Sequence, residues 1–346
     1  MKNLTKFSTL LLVFFVLLSS CKQETQTPNN ETVKTETSQK DPLPSWKDTN
    51  SKKEIMAYVK VVTDKNHPYF IPVKDRIATF DNDGNLWSEQ PMYFQFAFAI
   101  DQIKKMAIDH PEWKNKQPYK AVIENDMKAL NKAGEKGMLE IILATHVGIS
   151  TDEFESSVKD WIKTAKHPTK KRAYTELVFQ PMLELLHYLR ANDFKTYIVS
   201  GGEVDFMRAL VTEVYGIPKE QIIGSRFKTE YIYNNGKPII KRLPELDFND
   251  DKEGKAINIH NIIGKKPVFA SGNSDGDLQM LQWTASNKYK SFMLYVHHTD
   301  ADREWAYDRD SHIGRLDKGL DQAKKDGWTV IDMKNDWKVI YPYELK

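Results

Sequence analysis

Three short apolar runs punctuate the chain, each closing on a polar, glycine-rich turn. They are Ile77-Ala78-Thr79-Phe80 before Asp81, Thr196-Tyr197-Ile198-Val199 before Ser200, and Pro267-Val268-Phe269-Ala270 before Ser271. Runs of this length bounded by turn residues predict buried strands of a parallel sheet. Helix-period stretches lie between them. Residues 181–192 open on Pro181 and carry Met182, Leu185, Leu186 and Leu189 on one face. Residues 204–215 predict a second helix, ended by Gly216. Residues 231–240 predict a hairpin around Asn235-Gly236. Strands alternating with helices predict an α/β fold, in which ligands bind beyond the carboxyl ends of the strands. Residues 87–175 differ: they are rich in Trp, Phe and Met, with helical patterns over 94–108 and 119–134 and no buried-strand signal. An inserted α-helical cap over the site is expected there.

The first residues change the picture. Residues 1–20 read MKNLTKFSTLLLVFFVLLSS, two lysines before an apolar run and then small residues, the layout of a secretory signal. The run is shorter than the roughly 20 residues of a stable membrane span. Leu18-Ser19-Ser20-Cys21 resembles the bacterial lipobox, in which the cysteine is lipidated, and Cys21 is the one cysteine of the chain. A single cysteine excludes an intrachain disulfide and a thiolate zinc site. Residues 21–45 hold too few large aliphatics to fold and are expected to be a tether. The expectation is a lipoprotein of the bacterial cell envelope, anchored through Cys21 and facing the periplasm or the cell exterior. Charge nominates no partner: 50 Lys+Arg against 48 Asp+Glu leave +2, with no basic surplus for nucleic acid. No protein partner is inferred.

Four motifs carry candidate chemistry. Asp81-Asn82-Asp83-Gly84-Asn85-Leu86 follows the first strand. Two carboxylates two residues apart can share a cation while one attacks as a nucleophile and the other moves protons. A calcium loop would require a Glu where Met92 stands. Ser200-Gly201-Gly202, at the second strand's end and ahead of a helix, offers a hydroxyl and backbone N–H groups to an anion; an ordinary turn with a Ser cap has the same letters. Lys255, opening a helix towards Ile263, is either a charge partner of the site or a solvated lysine. Gly272-Asn273-Ser274-Asp275-Gly276-Asp277 supplies oxygen side chains suited to Mg²⁺, or an acidic turn before a helix.

In this order, with three of the four at strand ends, the motifs resemble those of the haloacid dehalogenase-like superfamily, over about residues 75–300, and within it the phosphoserine-phosphatase-like branch with a helical cap. The resemblance implies a Rossmann-like parallel-sheet core made of residues 46–86 and 176–346, with the cap at 87–175. It implies an Mg²⁺-dependent phosphatase acting on a small phosphorylated metabolite. Asp81 is then the nucleophile and Asp83 the proton donor and acceptor. Lys255 offsets charge, and Ser200, Gly201 and Gly202 hold the phosphoryl group. The metal ligands are Asp81, the Asp83 carbonyl, Asn273 and Asp277. Asp83 argues against a dehalogenase, which lacks an acid there. Two positions depart from the family pattern: Asn85 replaces Thr or Ser, which would weaken a supporting bond, and Asn273 replaces an acid, with Asp275 as a substitute ligand. The glutamate that holds the ammonium in phosphoserine enzymes corresponds to Gln90, with Glu89 one earlier as the substrate-binding candidate, so phosphoserine itself is not supported. Trp87, Tyr93, Phe94, Phe96 and Phe98 form either a cage for a quaternary ammonium or cap core; His297 and His298 are either pocket edge or structural. A binding lipoprotein on a decayed scaffold and a phosphotransferase remain open. No chemistry is read in residues 303–346.

Overall fold

The computed structural model describes residues 41–345; the signal, Cys21 and most of the tether lie outside the described residues. Eight strands form one sheet: β1 (Ile77–Phe80), β2 (Lys195–Glu203), β3 (Ile222–Asn234), β4 (Lys237–Phe248), β5 (Phe269–Gly272), β6 (Phe292–Thr299), β7 (Ala306–Tyr307) and β8 (Thr329–Asp332). Their order is β4-β3-β2-β1-β5-β6-β7, with β8 also on β6. The pairings of β1 with β2 and β5, of β2 with β3, and of β6 with β5 and β8 are parallel; β4 and β7 run antiparallel to their neighbours. All four residues of β1 are buried, as are those of β5. That explains their continuous apolar runs: helices cover both faces of a parallel sheet, so neither face can be polar. Phe80 pairs with Ile198 and with Ser271, which lines up the carboxyl ends of the three central strands. The fold is the expected α/β, Rossmann-like one.

Helix Gln180–Ala191 leads into β2, and helix Val204–Tyr215, ended by Gly216, connects β2 to β3. The hairpin turns at Asn235-Gly236 as expected, but its arms run for 13 and 12 residues. The packed body begins before Trp46. Leu43 and Ser45, placed in the tether by composition, are buried: the Ser45 N–H donates to Glu184 Oε2 at 2.9 Å and Lys52 Nζ to the Leu43 carbonyl at 2.9 Å. One aliphatic in a polar stretch was enough to seat it.

Between β1 and β2 come helices Phe94–Met106, Tyr119–Ile123, Met127–His146 and Thr151–Ile162. The helix expected over 119–134 is broken, because Asp126 caps a new helix by accepting from the Ala129 N–H at 2.9 Å, and Gly134 departs from helical geometry. Ala121, Val122 and Leu130 still face one small core, so the apolar period survives the break. The insert is welded to the main body. Phe98 packs against Phe154, Trp161 and Phe206 with ring centroids 5.5 to 5.8 Å apart, and these residues belong to the main core. Burying each such ring is worth roughly 1.5–3 kcal/mol.

Candidate functional site

Asp81 stands one residue past β1, its N–H donating to the Ser271 carbonyl at 2.9 Å. Lys255 Nζ donates to Asp81 Oδ1 at 2.7 Å and to Asp277 Oδ1 at 2.5 Å. It is 2% exposed, so it is not the solvated lysine that its place near a helix start also allowed. Helix Glu253–Asn258 carries it inward. Burial works against its charge, yet Asp277 and Asp81 hold the ammonium above its ordinary pKa. Asp81 is raised, by burial first and then by Asp277, with Lys255 opposing.

Asp277 is fully buried and fully used. Its Oδ2 accepts the N–H of Asn273 at 2.9 Å and of Ser274 at 3.0 Å, folding the fourth motif around it. Asp83 has one oxygen fixed by Trp87, whose indole N–H donates to Oδ1 at 2.7 Å. Its Oδ2 lies towards Gly202, 3.6 Å from where a Cβ on that glycine would stand, with Ser200 Oγ 3.4 Å from the same point. Asp83 and the Ser200-Gly201-Gly202 segment therefore converge. Burial pushes Asp83 up to about 6, with the Trp87 N–H and Lys255 pulling the other way.

Ser200, Gly201 and Gly202 sit in the last part of β2, not at a helix N-terminus. Glu203 caps the following helix, accepting from the Phe206 N–H at 2.9 Å, and Ser200 Oγ accepts from the Gly202 N–H at 3.1 Å. The helix opens at Val204 as expected, and the carboxylate of Glu203, rather than the Ser200 hydroxyl of the ordinary-turn reading, reaches its free N–H groups. The Glu203 N–H donates to Gln95 Oε1 at 2.9 Å, tying this segment to the insert.

Asn85 does not weaken the first motif. Its Nδ2 donates to the Asp81 carbonyl at 3.0 Å while its Oδ1 accepts from Ser271 Oγ at 2.7 Å, a bridge a hydroxyl is too short to span. Asp275 is not turned to a metal: its Oδ1 accepts the N–H groups of Asp317 at 3.0 Å and Gly319 at 2.8 Å. Glu89 is not free for a substrate ammonium. Its Oε1 accepts from Asn273 Nδ2 at 2.8 Å and from the Tyr307 hydroxyl at 2.8 Å. Burial holds Glu89 well above the usual carboxylate range, the Tyr307 bond opposing. Trp87, Phe94 and Phe98 are core rather than cage; Tyr93 is exposed.

Around Asp81 the carboxyls of Asp81, Glu89 and Asp277 are buried, and that of Asp83 partly so, with one ammonium, that of Lys255. Asn273 Oδ1 is buried without a hydrogen-bond partner. A surplus of carboxyl groups over ammonium and a free amide oxygen fit a hard divalent cation. Among the described residues no group of three His, Cys, Asp or Glu side chains is set to hold a metal, so such an ion would draw on the Asn273 amide and a backbone carbonyl as well as on carboxylate.

Residues 78–282 match the profile of the haloacid dehalogenase-like hydrolases, more than half of the 346 residues. The chain belongs to that family. Among solved structures, this haloacid dehalogenase-like hydrolase is similar to a functionally unknown protein from Anaerococcus prevotii DSM 20548, with 17% identity over 81% of this chain and 90% of the other, and a TM-score of 0.48. It is also similar to a protein of unknown function from Bordetella pertussis Tohama I, with 15% identity over 75% and 98% of the two chains and a TM-score of 0.45. A phosphoserine phosphohydrolase-like protein from Francisella tularensis shares 16% identity over 64% and 87%, with a TM-score of 0.35. At these distances the likenesses carry no statement about activity. No curated protein matches the sequence.

Sequence reasoning missed part of this hydrolase's site. The segment after β6, in which no chemistry was read, closes one wall of it. Tyr307 supplies that wall with its hydroxyl, and its ring stacks 4.3 Å from that of His298, the β6 histidine read as pocket edge or structural, whose Nε2 donates to the Gly84 carbonyl at 2.7 Å. Gly84 and Gly314 press on Glu89: both have positive φ, and added Cβ atoms would lie 2.3 and 1.9 Å from Glu89 Oε1. Only glycine fits at either place. Asp251, beside Gly201 and Gly276, was also missed; it carried no signal beyond its nearness to Lys255. A glycine before a lone Arg-Leu, such as Gly314, carries no motif.

Proposed function

We propose that the protein is a phosphatase that hydrolyses a small phosphomonoester through an aspartyl-phosphate at Asp81. The observation that carries this reading is Asp83, a second, partly buried acid with one oxygen pinned by Trp87 and the other on the side of Ser200 and Gly202. In the first step an Asp81 oxygen attacks phosphorus as the bond to the leaving oxygen breaks, and protonated Asp83 donates its proton to that oxygen. In the second step Asp83 takes a proton from water, whose oxygen attacks phosphorus and frees Asp81 with release of inorganic phosphate. Ser200 and the Gly201 N–H hold phosphoryl oxygens, and Lys255 keeps the Asp81 carboxylate in place through the cycle. The Asp81 carboxylate, the Asp83 carbonyl and Asn273 Oδ1 would hold Mg²⁺, which when bound would supply positive charge against the phosphoryl oxygens; Asp277, expected as a fourth ligand, is instead taken up by Lys255 and the N–H groups of Asn273 and Ser274. The signal layout and Cys21 support attachment to a bacterial envelope membrane through lipid on that cysteine.

The test is hydrolysis of p-nitrophenyl phosphate by the full chain, with Mg²⁺ and with EDTA, beside Asp81→Asn. The expected result is metal-dependent turnover that falls by about 10³-fold or more in the variant. A folded protein that binds Mg²⁺ yet cleaves neither this ester nor a panel of phosphomonoesters would sink the phosphatase reading in favour of a binding protein. Phosphate passed to added alcohols rather than water would make it a phosphotransferase.

A further inference from the structure

We infer that Glu89 is a positioning residue for the cation site, paired with Asn273 so that an amide performs at position 273 what an acid would otherwise do. The inference rests on the Mg²⁺ site proposed above and goes beyond it in assigning Glu89 to the metal side instead of to substrate. Asn273 is held at both ends. Its backbone N–H donates to Asp277 Oδ2 at 2.9 Å, and its Nδ2 donates to Glu89 Oε1 at 2.8 Å. What remains is Oδ1, buried and without a partner. An asparagine side chain has two orientations differing by exchange of O and NH₂. Glu89 selects between them: the reversed amide would set Oδ1 against a carboxylate oxygen and turn two N–H donors towards the place of the ion.

Glu89 can select because it cannot move. The Tyr307 hydroxyl donates to the same Oε1 at 2.8 Å, and the backbones at Gly84 and Gly314 leave no room on either side. A Cβ on Gly84 would stand 2.1 Å from Asn273 Nδ2 and 2.3 Å from Glu89 Oε1, and one on Gly314 would stand 1.9 Å from Glu89 Oε1. Outer groups that orient a ligand in this way commonly set metal affinity as strongly as the ligand itself. An aspartate at position 273 would set a second carboxyl oxygen against the Glu89 Oε1 that accepts from Tyr307, so the 2.8 Å contact could be kept only by holding a proton between the two acids. The pair is therefore matched: neither member can be exchanged alone for its acid or amide counterpart, whereas both can be exchanged together.

The experiment compares the full chain with Glu89→Gln, Asn273→Asp and the double variant, each stripped with EDTA and dialysed, by calorimetric titration with Mg²⁺ alone. Each single variant is expected to bind Mg²⁺ about 10–100-fold more weakly. In the double variant the amide introduced at position 89 can donate to the carboxylate introduced at position 273, and affinity is expected to recover to within several-fold of the parent. Tighter binding by Asn273→Asp alone, or losses that simply add in the double variant, would overturn the pairing. A parent protein that binds no Mg²⁺ would overturn it too. Should the singles fail to fold, Tyr307→Phe decides: it removes a bond to Glu89 and leaves Glu89 and Asn273 themselves unchanged, and unchanged Mg²⁺ affinity would count against the inference. The reading does not stand or fall with catalysis: Mg²⁺ binding that follows this pattern in a protein cleaving no phosphate ester sustains the pair and removes the phosphatase.

Discussion

On the Lys255 side of Asp81, an ammonium is held between two carboxylates at 2.7 and 2.5 Å. On the Glu89 side, an amide and a phenol converge on one carboxylate oxygen, each at 2.8 Å. The first side works through charge, which acts over distance and tolerates small errors of angle. The second works through hydrogen bonds, which weaken steeply when misaligned, and it is correspondingly the more crowded, with two backbones pressed against Glu89. A site built in both ways can hold charge firmly on one flank while aiming a neutral ligand atom on the other.

The largest effect is expected on the charged side. Lys255→Met leaves Asp81 and Asp277 buried together without their ammonium, and removing one partner of a buried ion pair costs about 3–5 kcal/mol. Chemical denaturation should show this loss, reduced when Mg²⁺ is present; a variant as stable as the parent in EDTA would mean that the two carboxyls are not both charged. On the crowded side, Gly314→Ala forces a side chain into a positive-φ position against Glu89, with strain of about 1–3 kcal/mol. Its melting temperature should fall while p-nitrophenyl phosphate turnover falls further than the melting shift explains; equal turnover would show that Glu89 can yield. The smallest effect lies away from both sides, at His146. Burial, and then Arg242, holds it at about 3 against an ordinary 6.5. A depressed folded value means that the neutral ring's contribution is whole above 6.5 and fades as pH falls towards 3. The melting temperatures of parent and His146→Gln should therefore draw together over that interval, and a constant gap would contradict it.

The two sides also differ in how they could be read. Asp81, Asp83, Ser200, Lys255 and Asp277 stand at or just beyond strand ends or near a helix start, where turn residues interrupt apolar runs, so each is marked by its own short motif although Asp81 and Lys255 lie 174 positions apart. The Glu89 side draws on residues far apart: Glu89 and Tyr307 are separated by 218 positions. No periodicity links them, because the contact is made by a loop whose conformation the alternation of polar and apolar residues does not constrain. The Ser200 segment was misread for a different reason. Ser and Glu both cap helices, and it is Glu203, directly before the expected start at Val204, that reaches the Phe206 N–H. The break near Asp126 escaped because both halves of the expected helix present apolar residues to one core.

Asp275 fastens the last part of the chain to the fourth motif through the amides of Asp317 and Gly319, and this gives the site a timetable. Chains leave the ribosome N-terminus first and fold as they emerge. A nascent polypeptide that has released residues 78–282 contains the whole family match, yet Tyr307 and Gly314 have not been made and Glu89 has Asn273 alone of its two hydrogen-bond donors. The Glu89 wall closes only when translation passes residue 319, so the hydrolase's site waits on chain that lies beyond its own family match.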